Sequence, residues 1–170
     1  MIMKFSRLTV ALTCLVASLG GDVDCPTIFQ EDFCGHHNLS TAMLQAGLPI
    51  LARDTKFSRN LNNLTGIGMM ATLQGLRTLC QGGLAWFGIP CSSCVYMSRG
   101  STRRSRLNAR GCRSYASVRQ ANAIARRDCY LVHYVEQKGA FWCLDNPVSS
   151  LVWLYKPVAD MLRRPGVHCV

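Results

Sequence analysis

Short apolar runs alternate along the chain with longer segments that suit helices. Four runs have the length and composition of buried strands: residues 27–33, 50–52, 84–87 and 140–144. Three longer segments are predicted to be helical: residues 39–46, 118–137 and 149–164. Residues 64–79 also suit a helix by their apolar content, although their glycines lower helix propensity. Strands that alternate with helices predict an α/β fold with a mostly parallel sheet and right-handed crossovers.

One polar, arginine-rich segment interrupts this alternation. Residues 99–117 are predicted to form a basic loop, the only long insertion in the pattern. The rest shows no internal repeat and no clear boundary, so residues 22–170 are predicted to form one domain. Hydrophobic residues make up 49% and charged residues 16% of the 170 residues, which excludes a disordered or fibrous protein.

Residues 1–21 have the layout of a secretory signal peptide. Lys4 and Arg7 precede an apolar run over residues 8–19, and two glycines follow it. No apolar stretch reaches the roughly 18 residues that a membrane-spanning helix needs. Two interpretations stay open: a signal that directs the chain into the secretory pathway, or a hydrophobic leader.

Ten cysteines bear on the same question. In a secreted chain they would predict a disulfide framework. Several lie within or beside apolar segments, where free thiols act as small hydrophobic side chains: Cys34, Cys80, Cys129 and Cys143. The sequons at Asn38 and Asn63 would be glycosylation sites only in the secretory pathway. Because of the apolar surroundings of these cysteines, we expect a reduced interior.

Reactive side chains follow two of the predicted strands. Cys91 comes after the strand at 84–87, and Asp145 comes directly after the strand at 140–144. Chemistry in parallel sheets lies beyond the carboxyl ends of the strands, so this pairing predicts covalent catalysis by Cys91 with Asp145 as its acid partner. The alternatives are an idle thiol, or a Cys-x-x-Cys redox pair or half zinc site with Cys94. No second ligand pair completes a metal site, so no metal is predicted.

The first predicted strand ends in a turn that suits a ligand. Phe33, Cys34 and Gly35 lie between this strand and a helix N-terminus, which is an arrangement typical of nucleotide and cofactor cradles. Asp54 ends the second strand, where an acid commonly accepts hydrogen bonds from ribose hydroxyls. The alternatives are a purely structural turn and a solvated aspartate.

The charge balance favours a polyanionic partner. With 19 Lys and Arg against 9 Asp and Glu, the net charge is +10, which indicates nucleic acid first and an anionic membrane second. Seven arginines follow Cys91 without one acidic residue between them: Arg99, Arg103, Arg104, Arg106, Arg110, Arg113 and Arg119. We expect the first four to contact phosphate, because they begin the run nearest the Cys91 segment. The alternative is a solvated basic loop.

These segments resemble the cytosine-C5 DNA methyltransferase family. Residues 33–47 align without gaps with the family's Phe-x-Gly-x-Gly-Gly motif and the Gln-Ala-Gly that follows it. Pro90-Cys91-Ser92 resembles the Pro-Cys nucleophile motif, and Asp145-Asn146-Pro147 resembles the Glu-Asn-Val motif. The order of the motifs and the helices between them agree over residues 27 to about 160.

The chain also departs from the family pattern. His37 and Asn38 replace two glycines of the first motif, and Ile89 replaces the first proline of Pro-Pro-Cys. Asp145 replaces a glutamate, and Asp54 lies one position before the family's ribose-binding acid. The later family motifs and the target-recognition region are absent, so the resemblance covers the N-terminal half of such an enzyme.

The resemblance implies an incomplete Rossmann-like fold and a mechanism that uses S-adenosylmethionine. The thiolate of Cys91 would add to C6 of a flipped-out cytosine, and Asp145 would protonate or hydrogen-bond N3. The residues that match the family's cofactor side are Phe33, Gly35, Asp54 and Pro90. The implied partner is nucleic acid, DNA before RNA, with a second chain that completes the fold if the protein is active. This interpretation places the protein in the nucleus.

Two other functions stay open at this point. The first is a basic nucleic-acid-binding module that keeps the fold without the chemistry, which would bind in a steeply salt-dependent way. The second is a secreted, cysteine-rich interaction protein with paired cysteines and occupied sequons.

Overall fold

The chain folds into two compact units, each built from two stretches of sequence. The computed structural model describes residues 27–169, so the predicted leader at 1–21 lies outside the described residues. The first unit runs to Gly88 and includes Val132–Leu144, and the second comprises Ile89–Leu131 and Asp145–Val170.

A four-stranded parallel sheet organises the fold. The strands are β1 (Thr27–Asp32), β2 (Ile50–Arg53), β3 (Leu79–Gly88) and β4 (Phe141–Asp145), in the spatial order β2-β1-β3-β4. The predicted α/β fold with a parallel sheet is therefore confirmed, and it is consistent with a Rossmann-like arrangement. The second strand, β2, lies on one side of β1, and the third strand along the chain, β3, lies on the other side. This reversal is a topological switch point, the place where open α/β sheets bind ligands.

Strand β3 is longer than the apolar run that predicts it. Its regular part pairs with β1 from Leu84, which lies opposite Phe29, to Phe87, which lies opposite Asp32. The register shifts between Thr27 and Phe29. A Cβ on Gly83 would lie 2.9 Å from the carbonyl oxygen of Ile28, so glycine permits the close approach of the two strands at this irregularity.

One cluster of the first unit's core lies on one face of this sheet. Phe29, Met43, Leu84 and Trp86 are buried together. Side chains packed around them are those of Ile28, Leu39, Leu48, Ile50 and Cys143. Each large side chain that leaves water here contributes about 1.5–3 kcal/mol before entropy is counted. Cys143 is among the packed residues, as expected of a thiol beside an apolar strand.

Five α-helices lie within the described residues. They are α1 (Asn38–Gln45), α2 (Gly66–Arg77), α3 (Arg99–Thr102), α4 (Ala116–Gln137) and α5 (Lys156–Leu162). Helix α2 forms despite its glycines. Thr65 accepts a hydrogen bond from the Gly68 amide at 3.0 Å and caps its N-terminus. Gly68 and Gly75 are buried contact points where a side chain would not fit, so they serve packing rather than flexibility.

Two predicted boundaries were wrong. The single helix expected over 149–164 is a 3-10 turn at Leu151–Leu154 followed by α5, because Pro157 is accommodated in the first turn of a helix but not in its interior. The segment 99–117, expected to be a loop, begins with α3 and ends in α4. Over residues 27–169, no helix has both the length and the apolar content to cross a membrane.

Candidate functional site

The segments that carry Cys91 and Asp145 are joined in the second unit. The side-chain amide of Asn146 donates to the carbonyl oxygen of Ile89 at 2.7 Å. Further along, the amide of Leu151 donates to the carbonyl oxygen of Cys94 at 2.8 Å. The Pro-Cys segment is thus held from both ends by the Asp-Asn-Pro segment and the turn after it.

Cys91 is the accessible member of its Cys-x-x-Cys pair. The amides of Cys94 and Val95 donate to the carbonyl oxygen of Cys91 at 2.7 and 3.1 Å, which folds the segment into a turn. Cys91 is partly exposed, whereas Cys94 is 4% exposed, and both are free thiols. Within residues 27–169, no group of His, Cys, Asp or Glu side chains could hold a metal ion. The turn therefore presents one thiol outward.

The pKa of Asp145 is raised although the residue is exposed. Desolvation of its carboxyl group raises the pKa above the usual range for aspartate. A raised pKa means that the group keeps its proton closer to neutral pH, as a general acid requires. Its neighbour Asn146 uses its amide nitrogen to hold Ile89, and the Oδ1 atom is buried without a hydrogen-bond partner in the described part of the chain.

Three of the four arginines predicted to contact phosphate lie on or near the surface. Arg103 and Arg106 are exposed, and Arg99 is half-buried with its guanidinium 4.0 Å from the ring centre of Tyr96. This cation–π contact orients Arg99 on an aromatic surface. The neighbouring Ser98 donates to the carbonyl oxygen of Ser92, which ties this segment to the Cys91 turn.

Arg104 is a correction to the sequence prediction. It is 2% exposed and lies in the interior of the second unit, where it cannot contact phosphate as predicted. Its guanidinium donates to the carbonyl oxygen of Ala109, to the Ser93 hydroxyl at 3.1 Å and to the Asn122 side chain at 3.0 Å. A buried guanidinium needs such acceptors. Arg104 therefore connects the basic segment (residues 99–119) to the Cys91 turn and to α4 through hydrogen bonds.

Gly35 and Asp54 meet at the carboxyl ends of β1 and β2, in the first unit. One carboxylate oxygen of Asp54 accepts from the Gly35 amide at 3.0 Å, and the other accepts from the Lys56 amide at 2.9 Å. Gly35 has φ +56°, and no atom lies within 4 Å of the position its Cβ would take. Asp54 thus holds the turn in place, and the turn leaves open space beside it for a ligand.

Charges of both signs lie at this turn. The Lys56 ammonium donates to the Gly35 carbonyl oxygen at 3.4 Å, and the carboxylate of Asp54 accepts from the Gly35 amide. Glu31, which is buried, accepts from both the amide and the hydroxyl of Ser40 in the first turn of α1. Burial, followed by the charges of Glu31 and Asp54, raises the pKa of the Cys34 thiol to about 11. A carboxylate at a helix N-terminus takes the position that a phosphate would otherwise occupy. Glu31 therefore disfavours a phosphate at the start of α1.

Two residues in the turn after β1 have an uncommon backbone conformation. His37 has φ 45°, a left-handed conformation that is uncommon for a side-chain-bearing residue, and so has Phe33 with φ 62°. The His37 ring packs edge-on against Phe57 with the ring centres 5.2 Å apart. The turn after β1 therefore contains two residues in a left-handed conformation and an aromatic contact.

Sequence patterns did not point to several residues that organise these segments. Glu31, Ser93, Asn122 and Asn146 act through contacts with residues distant along the chain. Ser93 lies within the Cys-x-x-Cys pattern and Asn146 within the Asp-Asn-Pro segment, but neither pattern predicts these contacts. Comparison of the chain with protein families, curated proteins and solved structures finds no match.

Proposed function

We propose that this chain is an S-adenosylmethionine-dependent methyltransferase-like protein that acts on cytosine in nucleic acid. The observation that carries the proposal is the hydrogen bond from Asn146 to the carbonyl oxygen of Ile89. It joins the turn that presents the Cys91 thiol to the segment that carries Asp145, whose pKa is raised by desolvation. An accessible thiol and a carboxyl group with a raised pKa are the two groups that covalent activation of a pyrimidine ring needs.

Each group has one task in this mechanism. As the Cys91 thiolate forms a bond to C6 of the cytosine, the electrons of the C5–C6 double bond become available for a new bond at C5. Asp145 donates its proton or a hydrogen bond to N3, which draws electrons into the ring and favours the addition. When bound, S-adenosylmethionine would supply a methyl group to C5 and leave as S-adenosylhomocysteine. Loss of the C5 proton to solvent would then restore the C5–C6 double bond and expel the Cys91 thiolate from C6. The exposed arginines Arg103 and Arg106 attract the phosphates that flank the target base.

The cradle at the ends of β1 and β2 fits this cofactor. S-adenosylmethionine has no phosphate, and its sulfonium and ammonium groups carry positive charge that the carboxylates of Glu31 and Asp54 favour. The space beside Gly35 admits a ligand close to the backbone. Asp54 would accept from ribose hydroxyls, and Phe33 is the further contact in this unit that the resemblance implies.

Covalent trapping tests the nucleophile. An oligonucleotide that contains 5-fluorocytosine, incubated with the full chain and S-adenosylmethionine, should give an adduct that survives denaturing electrophoresis, because fluorine at C5 blocks release of the enzyme. Cys91→Ser should abolish this adduct, and Asp145→Asn should slow it about 100-fold or more, the size of a general-acid contribution.

Cys112→Ser is the matched control for Cys91→Ser. The Cys112 thiol lies in the basic segment, and hydrogen bonds to Ser114 lower its pKa, which makes it a competing nucleophile. This variant should keep the adduct. An adduct that persists without Cys91, or that disappears without Cys112, overturns the assignment.

Calorimetric titration tests the cradle separately. The full chain should bind S-adenosylmethionine with micromolar affinity, and Asp54→Asn and Gly35→Val should weaken this binding at least tenfold through loss of a ribose acceptor and loss of space. ATP should not compete, because its phosphates would meet the carboxylate of Glu31. Binding of ATP in place of S-adenosylmethionine would contradict the cofactor assignment.

A second function is favoured by the charge distribution alone. A non-enzymatic module that binds nucleic acid through its basic segment needs only the exposed arginines and the net charge of +10. It predicts binding to nucleic acid without affinity for S-adenosylmethionine and without an adduct at Cys91. The covalent trapping and the calorimetric titration described above distinguish this module from the enzyme. The third interpretation, a secreted protein with paired cysteines, stays a prediction that free-thiol counting on the protein from its native host would test.

A further inference from the structure

Two helices of the second unit form a cleft on the protein surface. In α4, three residues are spaced i, i+3 and i+4 and so share one face of the helix: Arg126, Cys129 and Tyr130. In α5 and just after it, the same spacing brings a second set together: Pro157, Asp160, Met161 and Arg164. Both sets line a cavity of about 340 Å³, a volume within the range of small-ligand sites.

The lining of this cavity is mostly apolar. Pro157 and Met161 contribute aliphatic atoms, and Tyr130 contributes an aromatic ring. Burial, followed by the charge of Asp128, raises the pKa of the Cys129 thiol to about 11, so this thiol is neutral at physiological pH. A neutral thiol behaves as a small hydrophobic group. The cavity therefore favours an apolar or aromatic group over a strongly hydrated one.

The rim of the cavity is cationic. Arg126 is exposed, and it forms no hydrogen bond or ion pair with the other described residues. Arg164 donates through Nε to a backbone carbonyl oxygen of the same turn at 3.1 Å, which holds its guanidinium beside the cavity. The acid in the lining, Asp160, accepts from Lys156 at 2.6 Å and from Arg163 at 3.2 Å, so its charge is compensated. The rim therefore favours an anionic group.

A second, smaller cavity adjoins the first. It has a volume of about 230 Å³ and is lined by Ala123, Arg126, Arg127 and Tyr130. Arg126 and Tyr130 therefore line both cavities, and Tyr130 is 70% exposed. An exposed aromatic ring with arginines around it is the arrangement on which single-stranded nucleic acids stack their bases.

We propose that the cleft between α4 and α5 binds a single strand of nucleic acid, with a base stacked on Tyr130 and its phosphates held by the arginines that line the two cavities. A single strand offers an aromatic ring and an anionic phosphate at every nucleotide. A duplex keeps its bases paired inside the stack, where Tyr130 cannot reach them. This site goes beyond the proposed function, because its lining includes neither Cys91 nor any residue of the basic segment.

Fluorescence anisotropy of a labelled oligothymidylate measures the contribution of the cleft. The full chain is titrated into a strand of about eight nucleotides, within the range of single-strand site sizes. Tyr130→Ala should weaken binding about tenfold, which is the size of the loss of one stacked base. Tyr130→Phe keeps the ring and should bind within about twofold of the unsubstituted chain. Binding to a duplex should change less than about twofold in both variants.

Arg126→Ala tests the phosphate contact. It should weaken binding to the oligothymidylate and reduce the slope of log K against log salt by about 0.7, the value for one contact with a single strand. Arg77→Ala removes the same charge from an exposed position in the first unit and should leave this slope unchanged. Since Tyr130 and Arg126 are exposed, their substitutions should not lower Tm, so a loss of binding is not a loss of folding.

Photochemical cross-linking locates the strand on the protein. An oligonucleotide that contains 5-iodouracil, irradiated in its complex with the full chain, should cross-link to the tryptic peptide over residues 128–138, which contains Tyr130. Cross-links confined to residues 99–119 would overturn the proposal and leave the basic segment as the site for single strands.

The remaining outcomes are equally decisive. Unchanged affinity of Tyr130→Ala for the oligothymidylate, or an equal loss for single strand and duplex, contradicts base stacking in the cleft. Binding of thymidine monophosphate as tightly as the oligothymidylate overturns the strand in favour of a free nucleotide. Tyr130→Ala should still form the covalent adduct at Cys91, so the cleft and the catalytic assignment can fail independently of each other.

Discussion

Ionisable groups near the carboxyl end of β1 are buried to an unusual degree. Asp32 is 2% exposed, accepts from the Gln30 side chain at 2.8 Å and lies 3.3 Å from the Arg53 guanidinium. Burial nevertheless raises the pKa of Asp32 to about 6, since loss of hydration outweighs the attraction of Arg53 and the hydrogen bond. Burial also lowers the pKa of Arg53. We therefore expect the Asp32–Arg53 pair to contribute little to the free energy of unfolding and more to the pairing register of β1 and β2.

The stability of the protein should depend on the proton of Asp32. The folded state holds this proton to about pH 6, whereas the unfolded state releases it near the ordinary value of 3.8. The free energy of unfolding should therefore fall as pH rises from about 4 to about 6, by up to about 3 kcal/mol from this group (about 2 pKa units at 1.36 kcal/mol each), and then level off. Urea unfolding of the protein and of Asp32→Asn across this range isolates the effect.

The exposed Asp160 provides the control for that measurement. It forms surface ion pairs with Lys156 and Arg163, which contribute little in water. Asp160→Asn should leave the slope of stability against pH unchanged. If the protein and Asp32→Asn show the same slope between pH 4 and 6, burial does not control the titration of Asp32.

Burial of individual arginines is also decided beyond the sequence. Seven arginines of one run look alike in the sequence, yet Arg104 is buried among acceptors and Arg103 and Arg106 are exposed. The difference arises from Ser93 and Asn122, which lie eleven and eighteen positions away and supply the acceptors. Charge patterning predicted the basic surface correctly and placed one residue on it that belongs to the interior.

At the scale of elements, the glycines of α2 lower its helix propensity but allow close packing against neighbouring residues. Gly68 packs against Asn62 so closely that a Cβ would lie 2.0 Å from the Asn62 carbonyl oxygen. A Cβ on Gly75 would likewise lie 2.6 Å from side-chain atoms of Gln30 and Leu51. The helix propensity lost at these positions, about 1 kcal/mol each relative to alanine, is offset by contacts that a larger residue would prevent.

Alanine substitutions in α2 should therefore have opposite effects at two nearby glycines. Gly68→Ala should destabilise the protein by about 2 kcal/mol or more, because backbone atoms of Asn62 must move. Gly66→Ala should be neutral or stabilise by up to about 1 kcal/mol, since its Cβ would meet open space and alanine restricts the unfolded chain. Thermal unfolding of both variants checks this pair, and equal effects would contradict the close packing of Gly68.

At the scale of the whole molecule, the net charge of +10 is spread unevenly along the chain. The basic segment over residues 99–119 holds seven of the 19 Lys and Arg residues and no acid. Binding to nucleic acid that depends on this segment releases counterions from phosphate, so the affinity must fall as salt rises. The slope of this fall counts the contacts that the segment makes.

Removing two exposed arginines should change that slope by a defined amount. The double substitution Arg103→Ala and Arg106→Ala should reduce the slope of log K against log salt by about 2 for duplex DNA, one for each lost phosphate contact. Filter binding at several salt concentrations measures it. The control is Arg59→Ala with Arg77→Ala, which removes the same charge from exposed positions in the first unit. Equal changes in both double variants would show that only net charge matters.

What the sequence by itself determined is local and periodic. Apolar runs and helical stripes predicted three strands, α1 and α4 close to their observed bounds, because side-chain alternation and backbone propensity act over a few residues. The fourth, β3, begins five residues before the run that predicts it. The parallel sheet followed from the alternation of strands and helices, and with it the placement of Gly35 and Asp54 at strand ends. Tertiary structure alone decided that Asp54 accepts from the Gly35 amide and that Glu31 accepts from Ser40 in the first turn of α1. It also decided that Arg104 is buried. Those outcomes depend on which distant groups meet and on which of them lose water, and no local pattern carries that information.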